Sequence, residues 1–213
     1  MNPAKKIVVV AGNIGAGKTA LTERISQRMK WLSGFESVSD NPYLPDFYAD
    51  MRTWSFHLQM YFLGHRSEQY LRLAREKQSA ILDRSIYEDA HIFVRALHHL
   101  GNLTERDYDA YQRLFDVVVN GLPTPNLLIY LKAPVEVLME RIHIRARGME
   151  TGITQDYLKL LDTFYDEWLA NFDMCPVLTL NTENLDYVNK PEVLDLVSRH
   201  ITAKLAGKEA IDL

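Results

Sequence analysis

The sequence predicts one α/β domain built on a parallel sheet, and three observations carry that expectation. Five short apolar runs rich in branched residues alternate with amphipathic stretches. Those stretches are long enough to be the crossover helices that parallel strands need. A glycine-rich segment, "GNIGAGKT", stands where the first run gives way to the first amphipathic stretch. Chain length agrees, since 213 residues suffice for one large domain with a sizeable core.

In chain order the runs are "KIVVVA", "GFESV", "AILD", "NLLIYLKA" and "PVLTLN", read as five strands. Helical periodicity fills segments near 18–30, 46–76, 86–120, 134–172 and 190–206. Turn signals at Gly34, "NPYLP", "GLPTPN" and Pro176 separate them. No internal repeat, linker or low-complexity tract interrupts the pattern, so residues 1–213 are expected to form a single domain.

Composition removes several function classes. With 24 basic and 28 acidic residues and a pI near 6.0, the chain lacks the electrostatic footprint of a nucleic-acid or anionic-membrane binder. "KKIVVVAG" resembles the start of a signal peptide, but its apolar run is short and leads into glycines rather than a cleavage site. No stretch is long enough to cross a bilayer. A single cysteine, Cys175, and no Cys/His cluster at zinc-ligand spacing favour a reducing cytoplasmic home.

The first loop carries the strongest signal. "GNIGAGKT" fits G-x-x-x-x-G-K-[ST] through Gly12, Gly17, Lys18 and Thr19, directly after a strand and before a helix. Glycines allow successive backbone N–H groups of Gly12, Asn13, Ile14, Gly15, Ala16 and Gly17 to wrap phosphates, and the helix N-terminus adds its positive end. Lys18 reaches the terminal phosphates and Thr19 can ligate Mg²⁺. Residues 12–19 are therefore read as an ATP phosphate loop.

Open α/β sheets bind ligands at the carboxyl ends of their strands. Asp83 ends "AILD" and can hold Mg²⁺ through water, while Arg84 beside it can meet the transferring phosphate or pin an acid. "SIYE", Ser85 to Glu88, reads as a capping box, which makes those two residues structural and starts a helix at Ile86. Asp89 then falls in the first turn, at the ligand edge. "RIHIRARGME" supplies Arg141 and Arg145 on one helix face, with Arg147 off that face unless the helix ends at Gly148. A GTPase would need an Asn-Lys-x-Asp loop, and "NKPE" at 189–192 has the wrong acid and a helix-starting proline. A kinase for a small acceptor fits the length and gives the arginines work, as a lid over about 141–153 that neutralises charge on the γ-phosphoryl group and excludes water.

Glu36, in "FESVSDNPYL", bears on the acceptor. A nucleotide phosphate needs no base, whereas a sugar hydroxyl must lose a proton as it attacks phosphorus. An acid here argues for a hydroxyl. Tyr48, Gln59 and Arg66, spaced by eleven and seven, fall within about 20° of one another on a continuous helix. A break near Asp50 would detach Tyr48 from that stripe.

Across nearly the whole chain the sequence resembles the deoxynucleoside kinases of the non-thymidine-kinase-1 type, closest to the bacterial deoxyadenosine/deoxyguanosine kinase branch. The resemblance rests on "GNIGAGKT", "FESVSDNPYLPDFY", "RTWSFHLQMYFLGHR", "DRSIYEDAHIF", "RIHIRARGME" with "GITQDYLKLL", and a late "NTENLDY" loop. It implies a P-loop kinase fold, a five-stranded parallel sheet flanked by helices on both faces with an arginine-rich lid. By the same resemblance Glu36 matches the catalytic base near the 5′-hydroxyl, Gln59 the amide that pairs with the nucleobase, and Arg66 with Asp89 the charged pair beside it. Tyr48 and Glu150 match groups on the 3′-hydroxyl, Phe93 an aromatic that stacks on the base, Arg141, Arg145 and Arg147 the lid arginines, and Tyr187 a loop near the ATP adenine. Two departures stand out: Asn41 occupies the position of a tryptophan in the animal branch, and Asp83 replaces the glutamate of a Glu-Arg-Ser pattern.

The expectation is thus Mg²⁺-dependent transfer of the ATP γ-phosphoryl group to a 2′-deoxynucleoside, deoxyadenosine foremost, with deoxyguanosine and deoxycytidine close, by a cytoplasmic homodimer. One alternative is a nucleoside monophosphate kinase resembling thymidylate kinase, which would need a basic acceptor pocket. The other is a non-catalytic kinase-like subunit, which would have no need for Lys18, Thr19, Asp83 and Glu36 together.

Overall fold

Strand β1 (Ile7–Gly12) is buried at every residue, as its unbroken apolar run requires of a strand covered on both faces. A computed structural model, which describes residues 5–35, 41–145 and 152–208, places it at the centre of a sheet ordered β2-β3-β1-β4-β5. The other strands are β2 (Leu32–Gly34), β3 (Ala80–Asp83), β4 (Leu127–Lys132) and β5 (Val177–Asn181), and every pairing is parallel. Val9 registers with Leu82 on one side and Leu128 on the other, and these residues point into one apolar layer. Val8 and Val10 point into the opposite layer with Ile81, Leu127 and Ile129. Two cores therefore sandwich one sheet, the three-layer architecture that the sequence pattern predicts.

Helices α1 (Lys18–Met29), α7 (Val135–Arg145) and α9 (Pro191–Leu205) cover the second layer. The first is covered by α3 (Met51–Arg75), by α4 (Ile86–Glu88) with the π-helical turn Asp89–Val94 and α5 (Arg95–His99), by α6 (Glu105–Asn120) and by α8 (Gln155–Ala170). Short α2 (Leu44–Ala49) leans on α3. Lys5 ties the start of β1 to the end of α3 by donating to the carbonyls of Leu73 and Ala74 at 2.8 and 2.7 Å, which satisfies acceptors left open at a helix C-terminus.

Several boundaries differ from the sequence expectation. The second strand starts two residues before "GFESV" and ends at its first residue, Gly34, where a Cβ would come within 2.8 Å of the Gln69 side chain on α3. The segment 46–76 divides at Asp50, whose carboxylate caps α3 by accepting from the Thr53 N–H at 3.1 Å. The segment 86–120 divides at 100–104, where Gly101 adopts φ 74° and the Thr104 hydroxyl caps α6. The segment 134–172 is broken at 152–154, where Thr154 caps α8. Among the described residues no helix is long and apolar enough to cross a membrane.

Candidate active site

Gly12 ends β1 with φ 150°, and a Cβ there would lie 2.6 Å from the Leu131 carbonyl oxygen of β4. Only glycine lets the loop leave the sheet so close to its neighbour. Gly17 precedes α1 in the left-handed region at φ 98°, turning the chain so that the first N–H groups of α1 face the loop. Asn13 fixes the loop from behind, its amide donating to the Leu158 carbonyl at 2.9 Å and to Asp162 at 2.6 Å, both on α8. Lys18 folds over the loop and donates to the carbonyls of Gly12 and Asn13 at 2.5 and 2.9 Å. Ile14, Gly15, Gly17, Lys18 and Thr19 line a cleft of about 1230 Å³ along the carboxyl edge of the sheet. That exceeds what one small ligand needs and suits two.

At the cleft floor the Thr19 hydroxyl donates to Asp83 Oδ2 at 2.5 Å. Asp83 is buried and its Oδ1 has no hydrogen-bond partner among the described residues. Hard oxygen donors on the first turn of a phosphate-binding helix fit Mg²⁺, which keeps several waters and takes one or two protein oxygens beside phosphate. Arg84, next along the chain, has φ 72°, a conformation that costs a bulky side chain about 1–2 kcal/mol. Its guanidinium sits over the Phe93 ring at 4.5 Å, and Nη1 lies 3.5 Å from Glu88.

The other end of the cleft is built from α2, α3 and the π-helical turn. Gln59 and Arg66 both line it from α3. Gln59 is 5% exposed, yet its amide oxygen has no hydrogen-bond partner among the described residues. Arg66 Nε lies 2.5 Å from Asp89 Oδ2, both side chains buried. Tyr48 reaches the same cleft from α2, so the break at Asp50 removes it from the α3 stripe without removing it from the site. Phe93, one turn past Asp89, completes this end.

Sequence reasoning brings most of its candidates together here, with exceptions. Glu36, Arg147 and Glu150 lie outside the described residues. Arg141 and Arg145 both line the cleft, but Arg141 is anchored, donating to the Thr182 hydroxyl and carbonyl at 3.1 and 2.5 Å. Tyr187 is 5% exposed and donates to the Gly17 carbonyl at 3.2 Å. It braces the phosphate loop from beneath and does not present its ring to the cleft. Asn41 is buried before α2 and accepts from the Tyr43 N–H at 3.0 Å, a local turn. The capping box is half realised: Ser85 accepts from the Glu88 N–H at 3.3 Å, but the Glu88 carboxylate turns inward to the Gly12 N–H at 2.8 Å. Tyr157, Asp162, Tyr165 and Thr182 were not anticipated. Asp162 meets Asn13 across 149 residues, Tyr165 meets Gly12 across 153 and Thr182 meets Ala16 across 166, and no local pattern signals them.

Comparison with known proteins agrees with this geometry. The sequence model of one family, described as Deoxynucleoside kinase, matches residues 8–206, from β1 into the end of α9. A deoxyadenosine/deoxycytidine kinase of Bacillus subtilis is 36% identical over 203 residues, covering 94% of each chain. A deoxyadenosine kinase of Lactobacillus acidophilus is 33% identical over 210 residues, covering 94% of this chain and 96% of that one. Among solved structures, deoxyadenosine kinase from M. mycoides with the products dCMP and a flexible dCDP bound superposes with a TM-score of 0.81 at 28% identity, covering 92% of this chain and 99% of that chain. The fold is the P-loop kinase fold. A match that runs through both ends of the cleft places the chain in the deoxynucleoside kinase family.

Proposed function

We propose that the protein transfers the γ-phosphoryl group of ATP to the 5′-hydroxyl of a 2′-deoxynucleoside whose base carries an exocyclic amine, deoxyadenosine foremost. The observation that carries this reading is Gln59, a buried amide whose oxygen lacks a partner among the described residues and which lines the cleft beside the Arg66–Asp89 pair. A buried acceptor left unpaired costs about 1–3 kcal/mol, and an exocyclic amine would recover it. The Gln59 oxygen would accept from that amine while its N–H₂ donates to a ring nitrogen, a two-bond match open to adenine and cytosine. Guanine offers a carbonyl there and would need the amide turned or Arg66 as donor. Relatives with deoxyadenosine, deoxycytidine and deoxyguanosine in their names support the same class of acceptor.

In this reading each residue has a chemical role. The loop N–H groups and Lys18 hold the donor phosphates, and the Tyr48, Gln59 and Phe93 end of the cleft holds the nucleoside. Glu36 accepts the 5′-hydroxyl proton as the oxygen bonds to the γ-phosphorus and the bond to the β-phosphate oxygen breaks. Arg84, Arg141, Arg145 and Arg147 balance charge on the transferring group, and Glu150 with Tyr48 serves the 3′-hydroxyl. Mg²⁺, held from Thr19 directly and Asp83 through water, would neutralise phosphate charge when bound. An anionic acceptor such as a nucleoside monophosphate would want an unpaired cation, whereas Arg66 is already matched to Asp89.

Exposed Leu114 and Val117 on α6 support a homodimer through that helix. Burial that pushes the Cys175 thiol up to about 11 fits a structural cysteine in a reducing cytoplasm. The deciding experiment incubates purified protein with ATP and Mg²⁺ and each ribo- and deoxyribonucleoside, ranking kcat/KM. Deoxyadenosine should lead and thymidine should trail. Phosphorylation of nucleoside monophosphates alone would overturn the reading.

A further inference from the structure

Glu88 takes no part in the chemistry just described, yet it is fully buried against the first glycine of the phosphate loop. Its Oε1 accepts from the Gly12 N–H at 2.8 Å and lies 2.5 Å from the Tyr165 hydroxyl, whose one proton is shared between this carboxylate and the Gly12 carbonyl 2.8 Å away. Its Oε2 lies 3.5 Å from Arg84 Nη1. One carboxylate thus joins the end of β1, the turn after β3 and helix α8. Each partner has little freedom of its own. Gly12 is pressed onto β4, where no Cβ would fit. Arg84 holds a left-handed backbone and is gripped on its other side by the Phe93 ring. The Tyr165 side chain is wholly buried, and that burial, followed by the charge of Glu88, pushes its hydroxyl well above the usual tyrosine range. It remains a donor at any working pH.

We propose that Glu88 is a positioning residue for phosphoryl transfer, setting the first glycine of the phosphate loop and Arg84 in one frame, with Tyr165 holding the carboxylate in place. The inference rests on the proposed kinase function. Its physical basis is preorganisation: a loop whose entry is already fixed loses less freedom when it wraps phosphate, and a guanidinium already aimed need not be ordered during transfer. Charge matters as well as shape. A glutamine in this position could still accept from the Gly12 N–H, but it would turn either a neutral oxygen or an N–H₂ toward Arg84. The neighbouring Asp89 faces the base pocket instead, so adjacent acids serve opposite ends of the cleft.

The test compares Glu88→Gln, Tyr165→Phe and the double variant with the parent protein. Three quantities are read: the single-turnover rate with deoxyadenosine, calorimetric affinity for a Mg²⁺-complexed non-hydrolysable ATP analogue, and affinity for deoxyadenosine. Glu88→Gln should slow transfer at least about tenfold and weaken the analogue at least about fivefold, with deoxyadenosine affinity within about twofold. Tyr165→Phe should slow transfer about threefold, and the double variant should be little worse than Glu88→Gln alone, because Glu88 and Tyr165 touch each other and both hold Gly12, one by its N–H and the other by its carbonyl. Rate and analogue affinity within about twofold of the parent, or effects that multiply fully in the double variant, would overturn the proposal. So would loss of both affinities in proportion to a fall in melting temperature, the mark of a purely structural role. If Glu88→Gln does not fold, Tyr165→Phe decides alone, since it keeps the charge and removes one hydroxyl; an unchanged rate and analogue affinity sink the idea. A parent protein that phosphorylates no deoxynucleoside refutes the function proposed above, while the analogue affinities still decide the role of Glu88.

Discussion

The Thr19 hydroxyl reaches the Asp83 carboxylate across 2.5 Å and so joins the first turn of α1 to the carboxyl end of β3. The remaining Asp83 oxygen is buried without a partner among the described residues. Removing the carboxylate should therefore be felt where Mg²⁺ is held. Asp83→Ala is expected to raise the Mg²⁺ concentration for half-maximal rate by about 10- to 100-fold, with deoxyadenosine affinity unchanged. A Mg²⁺ titration of activity at saturating ATP checks this, and an unaltered requirement would remove Asp83 from the metal site.

The proton of the attacking hydroxyl must go somewhere, and Glu36 is the proposed acceptor. Glu36→Gln keeps hydrogen-bonding capacity and loses basicity, so kcat should fall by roughly 10² to 10⁴ while the nucleoside still binds. Pre-steady-state turnover beside equilibrium binding of deoxyadenosine separates the two effects. Near-normal turnover excludes Glu36 as the base.

Arg66 and Asp89 neutralise each other within a buried pair, so changing only one strands a charge at a cost of about 3–5 kcal/mol. The informative variant changes both. Arg66→Met with Asp89→Ala should open room for a thymine methyl group, lower kcat/KM for deoxyadenosine and raise it for thymidine. The ratio should move at least about tenfold, or about 1.4 kcal/mol. A parallel fall for both substrates would make the pair structural only.

Stability should fail on the alkaline side through buried phenols. Burial pushes Tyr87, Tyr157 and Tyr187 up to about 12 from an ordinary 10.0, for the last two against the opposing charges of Arg84 and Arg141. Because the unfolded chain then loses these protons first, their contribution is complete below pH 10 and is lost as pH rises toward 12. Three such groups give a slope of about 4 kcal/mol per pH unit in that window. Urea unfolding followed at several pH values should show midpoints that hold steady up to about pH 9.5 and drop steeply above it. A flat response through about pH 11 would mean that these tyrosines are hydrated in the folded protein.

Where local patterns decide structure, the sequence was readable. The phosphate loop needed glycines at φ 98° and φ 150°, and those glycines stand in a recognisable spacing. Strands β1, β3 and β4 are interior and therefore continuously apolar. Strand β2 was displaced because three residues at a sheet edge carry no period, and its place is set by pairing Leu32 with Ala80. The break at Gly101 and Thr104 was passed over because the apolar spacing continues on both sides of a tight turn. Glu88 differs for another reason: its sequence context fits a helix cap, while its partners Gly12 and Tyr165 lie 76 and 77 residues away. Legibility ended where chemistry depends on chain segments that meet only after folding.

The central position of β1 divides the molecule's tasks. Residues around Gln59 belong to connections that enter and leave β3, whereas Lys18, Arg141 and Thr182 belong to β1, β4 and β5. A lineage could therefore change which nucleosides it salvages through a few replacements on α3 and inherit its ATP machinery untouched. Such drift would meet one barrier at Glu88 and Asp89, where neighbouring codons answer to different masters.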